Sequence, residues 1–448
     1  MDPCVVGLLC VCILLILITI GVHIAIALLV SGLFGLSIIL GFEQAILMNV
    51  RSMYSKISFP ELITLPLFIL MGYLASAGGI SKDIYDSLNL WLGRFKSGLG
   101  ISTIFACTGF GAVSGSSFVT ASVFAKISAP EMRRHHYPKS LSYAICAAAG
   151  SIGMLIPPSI LAVIYGMFSG LSIAKVLMAG IAPGLLWAFL FSLTVIIVLK
   201  VKKIKFSSDY SKQILHVTWR QRFYSLRSWW PIAVVSLSIF GGIYGGVFSP
   251  SEAAAVAVFV IFIVVFCMNI GKGRDEQREF IKQIKSSLTG TASTSAMIFF
   301  IMGSATVFSN LIVLSRIPTK LSELITYWNL SGLTLVIMMV LIYLMLGFIL
   351  DSISMICITV PMFNPVVEAV GIDPIWYATI VITSIEIGLI TPPLGLNLYS
   401  TIAVAEPDVA IEDIVAGVIP FLLAEFVALG LLLVFPKMST FLPGFVGG

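Results

Sequence analysis

Gly150-Ser-Ile-Gly-Met-Leu-Ile-Pro157-Pro158-Ser159 and Gly388-Leu-Ile-Thr-Pro392-Pro393-Leu-Gly395 each place a proline pair inside a long apolar stretch. A Pro-Pro step cannot continue an α-helix, because two amide donors are missing and the rings clash with the preceding turn. Each pair therefore breaks a membrane helix near its middle. Broken backbone at bilayer depth is stable only where protein or an aqueous cavity satisfies the freed polar groups. The two breaks mark a site.

Working outward, the whole chain is 58% hydrophobic and 10% charged, with mean hydropathy +1.07. Apolar runs long enough to cross about 30 Å of hydrocarbon recur along it. They predict spans near 4–20, 23–42, 60–77, 138–166, 172–199, 229–248, 252–271, 288–313, 374–402 and 409–436. The first run lacks the small-residue cleavage site of a secretory signal and reads as a retained anchor. The seven cysteines form no Cys-x-x-Cys pair, and the four histidines are scattered, so neither a disulfide framework nor a structural metal is expected.

Two apolar pieces, 99–129 and 333–366, are too short to cross twice. Each has a polar or Gly-rich centre: Gly109-Phe-Gly-Ala-Val-Ser-Gly-Ser-Ser117 and Gly347-Phe-Ile-Leu-Asp-Ser-Ile-Ser354. Arms of this length reach about 20 Å, to the midplane, and turn back, so both read as re-entrant hairpins. With both as hairpins, the basic loops 80–98, 129–139, 200–228 and 272–286 fall on one face and gather nineteen of the 26 Lys and Arg residues. By the positive-inside rule that face is cytoplasmic, which leaves both termini outside. The basic stretch 200–228, beside a span, reads as a topology signal and anionic-lipid contact rather than a nucleic-acid site.

Hairpin and broken helix recur in order. Pro130 and Pro365, Pro157 and Pro392, and Pro158 and Pro393 are each 235 positions apart, and the same offset sets Ser116 on Asp351. The first hairpin starts from the cytoplasm and the second from outside, so the halves are inverted, a secondary-transporter signature. The expected fold is an all-α polytopic membrane protein built as an inverted-topology repeat. It has about ten transmembrane helices, two broken at Pro-Pro, and two re-entrant helical hairpins. The first repeat is 1–228 and the second 229–448; a transport unit comprises 99–166 plus 333–402, and the remainder is scaffold.

Five motifs in this order, Ser-Gly-Ser-Ser (114–117), Ile-Pro-Pro-Ser (156–159), Ser-Pro-Ser-Glu-Ala-Ala-Ala (249–255), Gly-Phe-Ile-Leu-Asp (347–351) and Thr-Pro-Pro-Leu-Gly (391–395), resemble the large membrane subunit of tripartite ATP-independent periplasmic (TRAP) transporters, the DctM type. The similarity runs along essentially the whole chain. The resemblance implies sodium-driven import of an organic anion by an elevator-type displacement, with about two Na+ as coupling ions. It also implies residence in a bacterial or archaeal inner membrane, and two partners: a small four-helix membrane subunit (DctQ type), expected as a separate chain, and a soluble periplasmic substrate-binding protein (DctP type). C4-dicarboxylates, sugar acids such as sialic acid, 2-oxoacids and compatible solutes all stay open as substrates.

The chemistry of the breaks can be read from the residues. Gly and Ser at a hairpin tip allow close backbone approach and expose hydroxyls and helix-end carbonyls, while a Pro-Pro segment frees carbonyls that no later amide bonds. Hard sodium ions suit such uncharged oxygens. One sodium is placed between the first tip (Ser114, Ser116, Ser117) and the first break (Gly153, Ile156, Pro158). A second grouping, Gly347, Gly388, Thr391 and Leu394, is implied more by the resemblance than by spacing. No Lys, Arg or His lies at either tip or break, so an anion must be met by helix N-termini and by the ions themselves. Ser116, Ser117, Ser159, Asp351, Ser352, Ser354 and Asn397 are the candidate substrate contacts.

Carboxylates at apolar depth are costly unless paired, protonated or wet. Asp351 is assigned to sodium attraction or gating against a structural bond to the tip backbone, and Glu386 to gating or coupling, with a proton as its alternative cargo. Glu425 is expected to bond another helix. Ser249-Pro250-Ser251-Glu252 has the pattern of a capping box. Gly241, Gly242, Gly245 and Gly246 have small-xxx-small spacing for tight helix packing, read as packing within the scaffold with the small subunit as the alternative partner. Segments 80–98 and 314–330 read as matching amphipathic arms, with Trp91 and Trp328 at the interfaces. No Walker-type loop is present, so ATP is not the direct energy source. The alternatives are a stand-alone Na+- or H+-coupled dicarboxylate carrier or antiporter, and an intramembrane enzyme using Asp351 and Glu386 as an acid–base pair.

Overall fold

The computed structural model describes residues 2–202, 218–269, 274–328, 331–393 and 395–445. Its helices are α1 (Pro3–Thr19), α2 (Ile24–Leu40), α3 (Phe42–Ile57), α4 (Thr64–Ala77), α5 (Ile80–Leu92), α6 (Gly98–Ser114), α7 (Ser117–Arg134), α8 (Lys139–Ile152), α9 (Ile160–Ser169), α10 (Ile173–Ala179) and α11 (Ile181–Val201). After the basic linker come α12 (Trp219–Ser225), α13 (Trp230–Tyr244), α14 (Pro250–Asn269), α15 (Arg274–Leu314), α16 (Ile317–Tyr327), α17 (Gly332–Gly347), α18 (Ser352–Ala369), α19 (Pro374–Ile390), α20 (Leu396–Ile402), α21 (Ile411–Val434) and α22 (Lys437–Thr440). No strand occurs among the described residues. Seven stretches among them are long and apolar enough to cross a bilayer by length and composition. The protein is a polytopic helical membrane protein.

Both short apolar pieces turn back on themselves. The first splits at Gly115 into α6 and α7; Gly115 has φ +60°, a backbone setting that costs glycine nothing. The second splits at 348–351 into α17 and α18. Both proline pairs break their helices, α8 from α9 and α19 from α20, and both Pro-Pro bonds are cis. The 235-residue offset survives in three dimensions: α7 and α18 begin at 117 and 352, α8 and α19 at 139 and 374.

Every residue from Leu141 through Met167 is buried, and so is every residue from Trp376 through Ile390. A helix buried all round needs no polar face, and lipid offers no hydrophobic drive between helices, so association rests on close packing. The run Ala147-Ala-Ala-Gly-Ser-Ile-Gly153 supplies the small residues for that packing. The two broken helices are thus the innermost elements. Around them, α8 packs on α6, α7 and α21, and α11 packs on α6 and α21. Helices α1, α2, α3, α4, α13, α14 and α15 make a second body, in which α15 runs across α2, α3 and α4. Helices α11 and α21 fall in the part of the chain read as scaffold, yet α21 packs on both broken helices and α11 on the hairpin helix α6, on α8 and on α21.

Hydropathy does not pick out α3, which carries Arg51 and Lys56 and has one apolar face. It also starts the span at 288 late, since α15 is helical from Arg274. The capping box is present: Ser249 N–H donates to Glu252 at 2.8 Å and Glu252 N–H donates to the Ser249 hydroxyl at 3.3 Å. Both arms form as α5 and α16; Trp91 meets the rings of Trp219 and Phe223 at 6.3 and 5.5 Å. The glycine stripe is a correction. Gly241 and Gly246 have no neighbour within 4 Å, and Gly242 meets Phe248 of its own turn, so these residues shape the end of α13 and bind no other helix among the described residues.

Candidate functional site

Each hairpin crosses its broken helix at a pair of glycines. A Cβ on Gly111 would sit 2.4 Å from the Cα of Gly153, and one on Gly347 would sit 2.6 Å from the Cα of Gly388. Real side chains do not fit there, so main chain meets main chain. The first crossing brings Gly115 against the Pro158 carbonyl, 2.9 Å from where a Cβ would lie.

At the first break the amides of Gly153, Met154, Leu155 and Ile156 bond back to Gly150, Ser151 and Ile152. Among the described residues no amide bonds the carbonyls of Gly153, Ile156 or Pro158, the three backbone oxygens expected from sequence. Facing them, the Ser114 hydroxyl pairs with Thr120 at 2.8 Å, and Thr120 donates to the Ser116 carbonyl at 2.8 Å. The Ser116 side chain caps α7 through Val119 N–H at 3.5 Å. Ser114 and Ser116 line a cavity of about 60 Å³ with Ile69, Gly72, Tyr73 and Thr294. That space holds an ion or one or two waters but no organic anion.

The second break is more self-satisfied. Gly388 and Thr391 carbonyls each accept one amide, from Thr391 and Gly395 at 3.2 Å, and the Thr391 hydroxyl donates to Ile387 at 2.6 Å. Each oxygen keeps a free lone pair. Gly347 joins Gly388 at the crossing, and Leu394 lies outside the described residues.

Asp351 makes the bond to the tip backbone that is one of its two readings. It is the N-cap of α18, accepting from Ile353 N–H at 3.1 Å and Ser354 N–H at 3.3 Å, and its other oxygen accepts the Ser354 hydroxyl. Ser159 likewise caps α9, accepting from Ala162 N–H at 3.2 Å and donating to the Met154 carbonyl. Ser352 and Asn397 are buried, and among the described residues the Ser352 hydroxyl and both Asn397 amide atoms have no hydrogen-bond partner. Glu425 bonds another helix as expected, accepting from Ser151 of α8 at 3.2 Å. Ser117, in the first tip, is buried, and neither its hydroxyl nor the carboxyl of buried Glu386 has a hydrogen-bond partner among the described residues.

Sequence reasoning missed Thr120, Tyr73 and Thr294, since each acts through a fold contact; only Thr120, one turn past Ser116, had a local signal. It also missed Lys56. That half-buried amine leaves α3 to donate to the Met167 carbonyl at 2.8 Å and sits 4.8 Å over the Phe168 ring. Desolvation pulls its pKa below the ordinary lysine value.

Residues 11–438 match the family described as the tripartite ATP-independent periplasmic transporter, DctM component. The chain belongs to the DctM family. Among relatives, it is 32% identical to the C4-dicarboxylate TRAP transporter large permease protein DctM of Pseudomonas aeruginosa, over 86% of this chain and 87% of that one. It is 31% identical to the ectoine TRAP transporter large permease protein TeaC of Halomonas elongata, over 88% of each. It is also 31% identical to the sialic acid TRAP transporter large permease protein SiaM of Vibrio cholerae, over 85% and 86%. In fold it is similar to the YdaH transporter of Alcanivorax borkumensis, with TM-score 0.59 over 89% of each chain at 14% identity. DctM-family membership makes the chain a transporter permease and removes the intramembrane-enzyme reading.

Proposed function

We propose that this DctM-family chain is the sodium-driven translocation subunit of a binding-protein-dependent importer of small organic anions. The observation that carries the reading is the pair of glycine crossings, each setting a hairpin tip against a Pro-Pro break, with the carbonyls of Gly153, Ile156 and Pro158 unbonded at the first. Oxygens without amide partners, buried and uncharged, are what a dehydrated Na+ needs. One ion sits among these carbonyls and the hydroxyls of Ser114, Ser116 and Ser117, and a second among Gly347, Gly388, Thr391 and Leu394. The substrate, met by the N-termini of α7, α9, α18 and α20 near Ser116, Ser159, Asp351, Ser352, Ser354 and Asn397, has its charge balanced by the ions. Binding of anion and sodium is thereby coupled.

The hairpins and broken helices move as one body against the scaffold, in an elevator manner. Because α11 and α21 pack on α8, α19 and one another, the moving body in this reading includes them. The basic loops face the cytoplasm, and the membrane is the bacterial inner membrane. The partners are a small membrane subunit and a soluble substrate-binding protein. One relative is named the isethionate TRAP transporter permease protein DctMQ, and this chain spans 58% of its length.

Reconstitution with the small subunit in liposomes, with candidate binding proteins loaded with succinate, sialic acid or ectoine, tests the reading. An inward Na+ gradient should drive uptake only with the binding protein present, and Ser116→Ala should weaken sodium activation while leaving membrane insertion intact. Uptake without any binding protein would point to a stand-alone carrier; uptake indifferent to Na+ would remove the ion sites.

A further inference from the structure

Helices α14 and α15 both pack on α4 and leave an apolar groove between them. Its wider part, of about 370 Å³, is lined by Phe262, Phe266, Phe280, Ile281 and Ile284. A narrower part of about 240 Å³ shares Phe262 and Ile284 and continues past Phe259 and Leu288 to Leu70 and Leu74 of α4. Along α14 the groove runs from Ala255 to Asn269, about 21 Å at the rise of an α-helix and more than the roughly 15 Å depth of one hydrocarbon leaflet. Phe259, Phe266, Ile281 and Leu288 are exposed, so its outer side is open.

The wide end lies where the apolar run of α14 stops at Asn269, and there Asn269 and Gln277 supply the polar part of the lining. On α15, Gln277, Ile281, Ile284 and Leu288 recur at helical spacing and form one stripe facing the groove. Arg278, Lys282 and Lys285 each come one position after a lining residue, so they form a parallel basic stripe along the edge of the groove, and all three are exposed. Among the described residues none of the three forms an ion pair. Of the acids nearby, Asp275 and Glu276 stand in the first turn of α15, where the helix start favours negative charge, and Glu279 lies beyond the basic stripe from the groove.

Two features select the occupant. A membrane helix needs small residues to approach closely, and of the residues lining the groove only Ala255 is small. Rings and branched side chains suit a flexible hydrocarbon chain instead. The second feature is charge, since exposed cations in a row where an apolar span ends call for an anion held at the interface. We propose that the groove binds an anionic phospholipid, with one acyl chain lying between α14 and α15 over α4 and the phosphate against Arg278, Lys282 and Lys285. The Arg278 guanidinium can hold two phosphate oxygens at once, while the lysines act as point charges. Both helices belong to the body that excludes the broken helices, so the lipid braces α14 against α15 there. The inference needs neither the ion sites nor the substrate.

Native mass spectrometry of the purified chain, titrated with phosphatidylglycerol and separately with phosphatidylcholine of the same acyl length, tests it. The wild type should retain phosphatidylglycerol at least about tenfold more tightly, a preference that falls as salt is added. The triple variant Arg278→Gln, Lys282→Gln, Lys285→Gln, altered only at exposed residues, should lose the preference, and Lys282→Arg should keep it. Ile284→Trp, which fills the junction of the two cavities, should weaken retention of both lipids alike, with its thermal midpoint showing that it is folded. Equal retention of the two lipids by the wild type, or an unchanged preference in the triple variant, would overturn the proposal and leave contact with bulk lipid only. Full retention in folded Ile284→Trp would put the lipid outside the groove and overturn it too. So would loss of bound lipid on adding the small membrane subunit, which would give the groove to a protein helix.

Discussion

At Ser116 and Asp351 a short polar side chain closes the first turn of a hairpin arm, satisfying amides that the helix start leaves orphaned. The same position thus carries a neutral cap in one repeat and an anionic one in the other. Asp351→Ala should lower stability by about 1 kcal/mol, and Asp351→Ser should recover most of it, read as the thermal midpoint of the purified protein. Stability of Asp351→Ala equal to wild type would show that the carboxylate does not act as a cap. Thr391 poses the opposite case, since its hydroxyl proton is committed to Ile387 and only its lone pairs are left for an ion. Thr391→Val should abolish a Na+-dependent thermal shift that Thr391→Ser retains; equal shifts in both would remove Thr391 from the second sodium grouping. These residues were legible because a short polar side chain beside a break has a local role to fill, capping the next arm or bonding the preceding turn. Lys56 and Thr294 were not, because each finds its partner across the fold.

Among the elements, what the sequence shows depends on whether the signal is local. Proline pairs and Gly-Ser centres interrupt a helix wherever they stand, so both breaks and both hairpins could be read directly. Helix α3 could not, since its charged face lowers its hydropathy, and the start of α15 is hidden by Arg274, Arg278 and Lys282. The glycine crossings belong to this scale. Gly111→Ala and Gly347→Ala put a methyl within 2.4 and 2.6 Å of opposing main chain, so the helices must separate, at a cost of about 1–3 kcal/mol. Gly241→Ala, with open space around it, should be neutral or stabilising by up to about 1 kcal/mol. Thermal midpoints of the three variants check this; a Gly111→Ala protein as stable as Gly241→Ala would mean that the crossing is slack.

For the molecule as a whole, a single moving body requires that the two repeats hold each other more firmly than either holds the scaffold. The contacts that join them run along the base of the first hairpin and the loop after the second break. Arg133 binds Asp408 at 2.6 Å and also Glu406, Lys139 binds Asp413 at 2.7 Å, and the Tyr143 hydroxyl accepts from Glu406 N–H at 3.2 Å. Deeper in, Ser122 donates to the Ser400 carbonyl at 3.1 Å and Tyr165 to Asn364 at 3.3 Å. The Arg133 guanidinium holds the Asp408 carboxyl below its ordinary value of 3.8. A carboxylate with a depressed folded-state pKa contributes stability above its unfolded pKa and loses it as pH falls through the folded one. The difference in thermal midpoint between wild type and Arg133→Ala should therefore be constant from pH 7 down to about pH 5 and shrink below about pH 4. Because Asp408 and Glu406 stand in solvent, the same difference should fall with added salt. A difference that ignores both acid and salt would mean that Arg133 acts through packing of its stem, and the electrostatic tie between the repeats would have to be given up.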